Sequence, residues 1–124
     1  MATKTKGTGS KEIIKFCLSL PGAYEDYPFH DDTLAMRHYG NKKIFALFIE
    51  YNRQHLLNLK CDPFKSTFLR NSFKSVIPGY HMNKEHWNTV ILDGSVPLAL
   101  IETMVVDSHE LTRPKIKRRK KEEF

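Results

Sequence analysis

Long apolar runs are missing from this chain. No stretch approaches the ~18 consecutive apolar residues of a membrane-spanning helix, so a helical span is excluded. Cysteine is scarce: Cys17 and Cys61 are the only two, too few for a disulfide framework, and neither has a second thiol nearby to form a redox or zinc motif. HExxH and CxxC are absent. The stretch HMNKEH (His81–His86) fails the inverted zinc pattern His-x-x-Glu-His because Met82 stands where that pattern needs histidine. GxSxG, the P-loop and GxGxxG are absent too. What remains is Cys61, beside Asp62 at a helix entry, with His55 or His81 as a conceivable partner. No local motif marks it as a nucleophile. The expectation is a protein without catalytic residues, metal ligands or cofactor. The amino end, MATKTKGTGSK, lacks the apolar run and cleavage site of a secretory signal. Residues 1–10 read as a flexible leader, and free thiols point to a reducing, cytoplasmic setting.

What is present suits one folded domain. The chain has 124 residues, 40% of them hydrophobic, with eight phenylalanines, five tyrosines and one tryptophan, enough for a single core. The net charge of +6 is unevenly placed. Residues 113–124 hold seven basic against two acidic residues, and this tail, expected to be disordered, accounts for most of the excess. Within the body, residues 11–36 have two basic against five acidic, residues 37–84 nine against two, and residues 85–112 none against five. A near-neutral domain with a strongly basic middle third has a basic surface to find.

Periodicity supplies the elements. Ser10 precedes a helix with an apolar face of Ile13, Ile14, Phe16, Cys17, Leu18 and Leu20, ended by Pro21-Gly22. AYEDYPFHDD reads as an acidic, aromatic loop. Alternation at Leu34–His38, a Gly40-Asn41 turn, KIFALFI and then HLLNLK predict a three-stranded meander, with EYNRQ as the second connection. Asp62-Pro63 reads as N-cap and first residue of a helix buried through Phe64, Phe68 and Leu69. SVIPGYH is an edge or bulged strand because proline cannot donate to a ladder. HWNTVIL is another strand, ended by Asp93-Gly94. Ser95 is placed as the cap of a last helix over residues 97–110, facing inward through Leu98, Ile101, Met104 and Val105. The order α-βββ-α-ββ-α gives an α+β fold, an antiparallel sheet of about five strands backed by helices over residues 11–112.

The densest cluster is PGYHMNKEHWNTVILDG, Pro78–Gly94. His81 and His86 lie five apart, so they do not stack as i, i+4 ligands. In a connection between strands, the same polar side chains satisfy backbone groups. Alternatively His81, Asn83, Lys84 and His86 form a wing offered to nucleic acid, with Lys42, Lys43, Lys60 and Lys74 supplying phosphate contacts. Hairpin lysines also serve against edge aggregation, and Trp87, which precedes an alternating strand, reads as a core or half-buried sheet residue ahead of a stacking platform.

LPGAYEDYPF (Leu20–Phe29), NLKCDP (Asn58–Pro63), PGYHMNKEHWNTV (Pro78–Val90) and LDG (Leu92–Gly94) resemble the MmcQ/YjbR family, over roughly Lys11 to Leu111. The resemblance implies a compact α+β fold of the kind likened to frataxin and CyaY. It also implies a DNA-binding role, the family's common label, with duplex DNA as partner and no established catalytic residues. Three positions depart from the family pattern. His30 stands where glycine is usual, Phe64 where an acidic residue is common, and Glu85 where a basic residue is usual, leaving Lys84 the single cation between Asn83 and His86. The alternative is a frataxin-like module taking a metal ion or protein partner through Glu25, Asp26, Asp31 and Asp32.

Overall fold

The computed structural model describes residues 9–115, so the leader through residue 8 and the tail beyond Lys115 lie outside the described residues. Helix α1 (Ser10–Leu18) is followed by strands β1 (Ala23–Asp26), β2 (Leu34–His38), β3 (Ile44–Tyr51) and β4 (Gln54–Lys60). Helix α2 (Pro63–Ser72), strands β5 (Val76–Pro78) and β6 (Trp87–Ile91), and helix α3 (Leu98–Thr112) complete the chain. The six strands form one antiparallel sheet in the order β1-β2-β3-β4-β6-β5.

The α+β architecture is as expected, with one strand more. The start of the acidic loop, Ala23–Asp26, is an edge strand against β2. Its residues lack a clear apolar alternation, and pairing with β2 is what orders them. The opposite edge is β5, which stops at Pro78 as a missing N–H requires. Strands β3 and β4 are joined by two residues only, Asn52 and Arg53, both at positive φ (53° and 63°), the conformation a tight hairpin imposes. The expected longer connection EYNRQ is therefore mostly strand.

The three helices share one face of the sheet. Leu34, Met36, Ala46, Phe48, Leu57, Leu59, Val76 and Val90, which alternate along their strands and pair across them, form one cluster with Ile13 and Cys17 of α1, Leu69 of α2 and Ile101, Met104 and Val105 of α3. A bulge between Met36 and Arg37 leaves Phe45 without a cross-strand partner and turns it to the same side, against His38 and His109.

Two capping assignments and one stripe differ from expectation. The N-cap of α1 is Gly9 at φ 64°, with Ser10 the first helical residue. Pro97 precedes α3, while Ser95 bonds to Ser75 and Asp93 instead. Asp62 does cap α2, accepting from the N–H of Phe64 and Lys65. That helix buries Ser66 and Leu69, leaving Phe64 and Phe68 89% and 69% exposed. At 100° per residue, 64 and 68 lie opposite 66, 69 and 73. Both stripes have helical spacing, and the contact with β5 selected the one containing a serine. Leu98, also expected inside, is exposed. The helix instead adds Ser108, His109 and Thr112 to its buried side.

Candidate nucleic-acid interface

The register sorts the proposed contact residues between the two ends of the sheet. Lys60, the last residue of β4, is opposite Trp87, the first of β6. The β2–β3 hairpin with Lys42 and Lys43 closes at that same end, because β3 and β4 run antiparallel with Ala46 opposite Leu59. The Cys61 N–H donates to the His86 carbonyl at 2.8 Å, bringing His86 there as well. Lys74 is not part of this group. It precedes Val76, which pairs with Val90 toward the other end of β6.

Helix α3 ties the hairpin in place. The Asn41 side-chain amide donates to the Thr112 carbonyl at 3.0 Å, and His38 Nε2 meets Thr112 Oγ1 at 2.8 Å. Ser108 Oγ donates to the Phe45 carbonyl and accepts from the Lys60 N–H at 2.8 Å. Gly40 is needed for close approach rather than for φ: a Cβ there would sit 2.7 Å from Pro114 Cγ. The positive φ of this hairpin falls on Lys42 (64°), whose ammonium lies 4.9 Å from the centroid of the Tyr39 ring and 5.7 Å from that of Tyr24. The chain after α3 therefore leaves beside Lys42 and Lys43.

The connection from Gly79 to His86 is held from both sides. Arg70 Nε donates to Asn88 Oδ1 at 2.7 Å, and its terminal nitrogen donates to the carbonyls of Lys84 (2.5 Å) and Trp87 (3.2 Å). On the opposite side of the sheet, buried Asn58 donates to the Tyr80 carbonyl and accepts from Thr89 Oγ1. That same Thr89 oxygen takes the Tyr80 N–H at 2.7 Å. Asn83 accepts from the N–H of Glu85 and His86, and Lys84 Nζ donates to the Gly79 carbonyl at 2.9 Å. His81, at φ 59°, has its ring 4.0 Å from that of Tyr80. Asn83 and Lys84 thus hold the turn itself, while His81 and His86 are exposed. The roles of Arg70, Asn58 and Thr89 escape sequence reasoning. Asn58, flanked by Leu57 and Leu59 in a strand, is the signal that a buried polar partner was required.

The acidic alternative loses members to local bonds. Asp26 is held by Arg37 Nη1 at 2.7 Å, and Asp31 accepts from the Thr33 N–H. Glu25 pairs with Met36 on the helix side, and Asp32 is exposed. Among the described residues no group of three or more His, Cys, Asp or Glu is arranged to hold a metal ion, and no helix is long and apolar enough to cross a membrane. Cys17 and Cys61 are free and buried. Burial pushes the Cys17 thiol up to about 12 and also raises that of Cys61, against the lowering contact of Ser66. The helix N-terminus beside Cys61 does not make it a ready thiolate.

Residues 18–111 match the YjbR family model. The chain belongs to the YjbR family. Its relatives include YyaQ of Bacillus subtilis, 32% identical with 83% of this chain and 97% of that one covered, and YjbR of Escherichia coli, 33% identical over 80% and 82%. Among solved structures, a Deinococcus radiodurans protein superposes with a TM-score of 0.76 at 35% identity, covering 85% of this chain and 78% of that one. A Pseudomonas syringae protein gives 0.77 at 30% identity, covering 83% and 97%. The fold is thus shared with proteins in which about two thirds of the residues differ.

Proposed function

We propose that this YjbR-family chain is a non-enzymatic nucleic-acid-binding module that takes duplex DNA at one end of its sheet, with Lys42, Lys43 and Lys60 facing phosphates. The observation that carries the reading is the fastening of the Lys42–Lys43 hairpin, the end of β4 and the last turn of α3 to one another by Asn41, His38 and Ser108. Cations from separate parts of the chain come to one end, and the lysine- and arginine-rich segment from Arg113 onward starts beside them. Phosphate neutralisation by such an array releases counterions and needs no base contacts. Asn83 and Lys84 are removed from the contact set because their side chains hold the turn, and Lys74 because it lies at the other end.

A salt titration of binding to a duplex oligonucleotide by fluorescence anisotropy tests the reading. Three phosphate contacts give a slope of log K against log salt of about −2.7, to which the tail adds. Reversing Lys42, Lys43 and Lys60 to glutamate in the full chain is expected to flatten the slope by about 3. An unchanged slope would mean that the tail alone binds and that this end of the domain does not.

A further inference from the structure

The face of the sheet away from the helices has its own chemistry. Cross-strand pairing places Tyr24 with Arg37, Asp26 with Ala35, Ala35 with Leu47, Leu47 with Asn58, Asn58 with Thr89, and Lys60 with Trp87, all on that side. Tyr51 follows by alternation from Leu47. Its ring lies 5.2 Å from that of Tyr80, which the Asn58–Thr89 network brings over the same face. Of the three carboxylates on strands, Glu25, Asp26 and Glu50, only Asp26 is on this side, and Arg37 neutralises it. Helix α3, across the other face, has Glu102, Asp107 and Glu110 and neither lysine nor arginine.

We propose that this helix-free face binds single-stranded nucleic acid, unpaired bases stacking on Trp87 and on the Tyr51–Tyr80 pair while Lys60 and Lys42 meet the strand's phosphates. The proposal rests on the nucleic-acid reading above and extends it from duplex to unpaired substrates. Aromatic rings interspersed with lysines suit a single strand, because every base has a stacking face and a duplex hides those faces along its length. Ala35, Leu47, Asn58 and Thr89 are buried between these groups, so half-exposed Tyr51 and the partly exposed Tyr80, Trp87 and Lys60 supply the accessible surface of this face. Arg37 is committed to Asp26 and to the Lys42 carbonyl, so Lys60 and Lys42, the latter beside the Tyr24 and Tyr39 rings, make the charge on this face complementary to a polyanion.

Trp87 is the only tryptophan, so its emission reports on this face directly. The full chain is titrated with a 20-nucleotide single strand and with the blunt duplex of the same sequence, following anisotropy and tryptophan emission together. The expected result is quenching by the single strand and at least ~5-fold tighter binding of it than of the duplex. Tyr51→Ala, at a half-exposed hairpin position that carries little of the core, is expected to weaken single-strand binding ~5- to 100-fold while leaving duplex binding unchanged. Equal affinity for both nucleic acids without quenching overturns the stacking face and leaves the phosphate-binding end standing. Absence of binding to either overturns both.

Discussion

The rings of His38 and His109 lie 4.4 Å apart, each already committed to an acceptor. Thr112 gives its own hydroxyl proton to the Ser108 carbonyl, so His38 Nε2 must be the donor to Thr112 Oγ1. His109 Nε2 donates to the Pro21 carbonyl at 2.9 Å. Burial, and then the neighbouring His109, lower the pKa of His38 from its ordinary 6.5. A depressed folded value means the unfolded chain takes up this proton first. The stabilisation is full above pH 6.5 and is lost as pH falls from there through the folded value. Urea midpoints between pH 7.5 and 5 should fall, and His38→Gln should reduce that fall. An equally steep loss in the variant would remove His38 as its source.

The cysteines should be silent in the native protein. With Cys17 pushed up to about 12 and Cys61 raised as well by burial, the thiolate needed for attack is scarce at pH 8. Labelling with a thiol-specific reagent is expected to proceed only on unfolding, with both residues then reacting. Fast native labelling of Cys61 would reopen it as a functional thiol.

His30 occupies φ 61°, a left-handed conformation that costs a residue with a Cβ about 1–2 kcal/mol. It stands where the sequence resemblance expects glycine. His30→Gly should therefore be neutral or stabilising by up to about 1 kcal/mol, while His30→Val should destabilise by more than His30→Gly gains. Thermal melts of the three proteins decide it, and a destabilised glycine variant would show that the imidazole makes a contact worth more than the strain.

Gly79 has no such latitude. A Cβ there would meet Trp87 Cβ at 2.8 Å and the Trp87 carbonyl at 2.9 Å, backbone-level contacts that cannot rotate away. Gly79→Ala is expected to cost about 1–3 kcal/mol in chemical denaturation and to loosen residues 79–86 in hydrogen exchange. Asn58→Ala attacks the same connection from beneath, leaving the Tyr80 carbonyl and Thr89 hydroxyl short of a buried partner, for about 1–3 kcal/mol. Native-like stability in both would mean the connection is held by Arg70 and by the turn's own bonds through Asn83 and Lys84.

The sequence by itself determined the elements whose cause is local. Alternation marked β2 to β4, Asp62-Pro63 marked the entry to α2, and Pro78 marked an edge, because side-chain period, capping and a missing N–H act within a few residues. Tertiary structure decided what needs a partner. Ala23–Asp26 became a strand only by pairing with β2, and α2 turned Phe64 and Phe68 outward because the core side of the helix receives Leu69 and, beside Cys61, Ser66. Pairing register separated Lys74 from Lys42 and Lys60, and the parity of that register put Trp87, Tyr51 and Lys60 on one face. Register is set by hydrogen bonds between segments distant in the chain, and a one-residue shift would reverse every side chain. Which cations and rings share a surface is therefore a property of the assembled sheet.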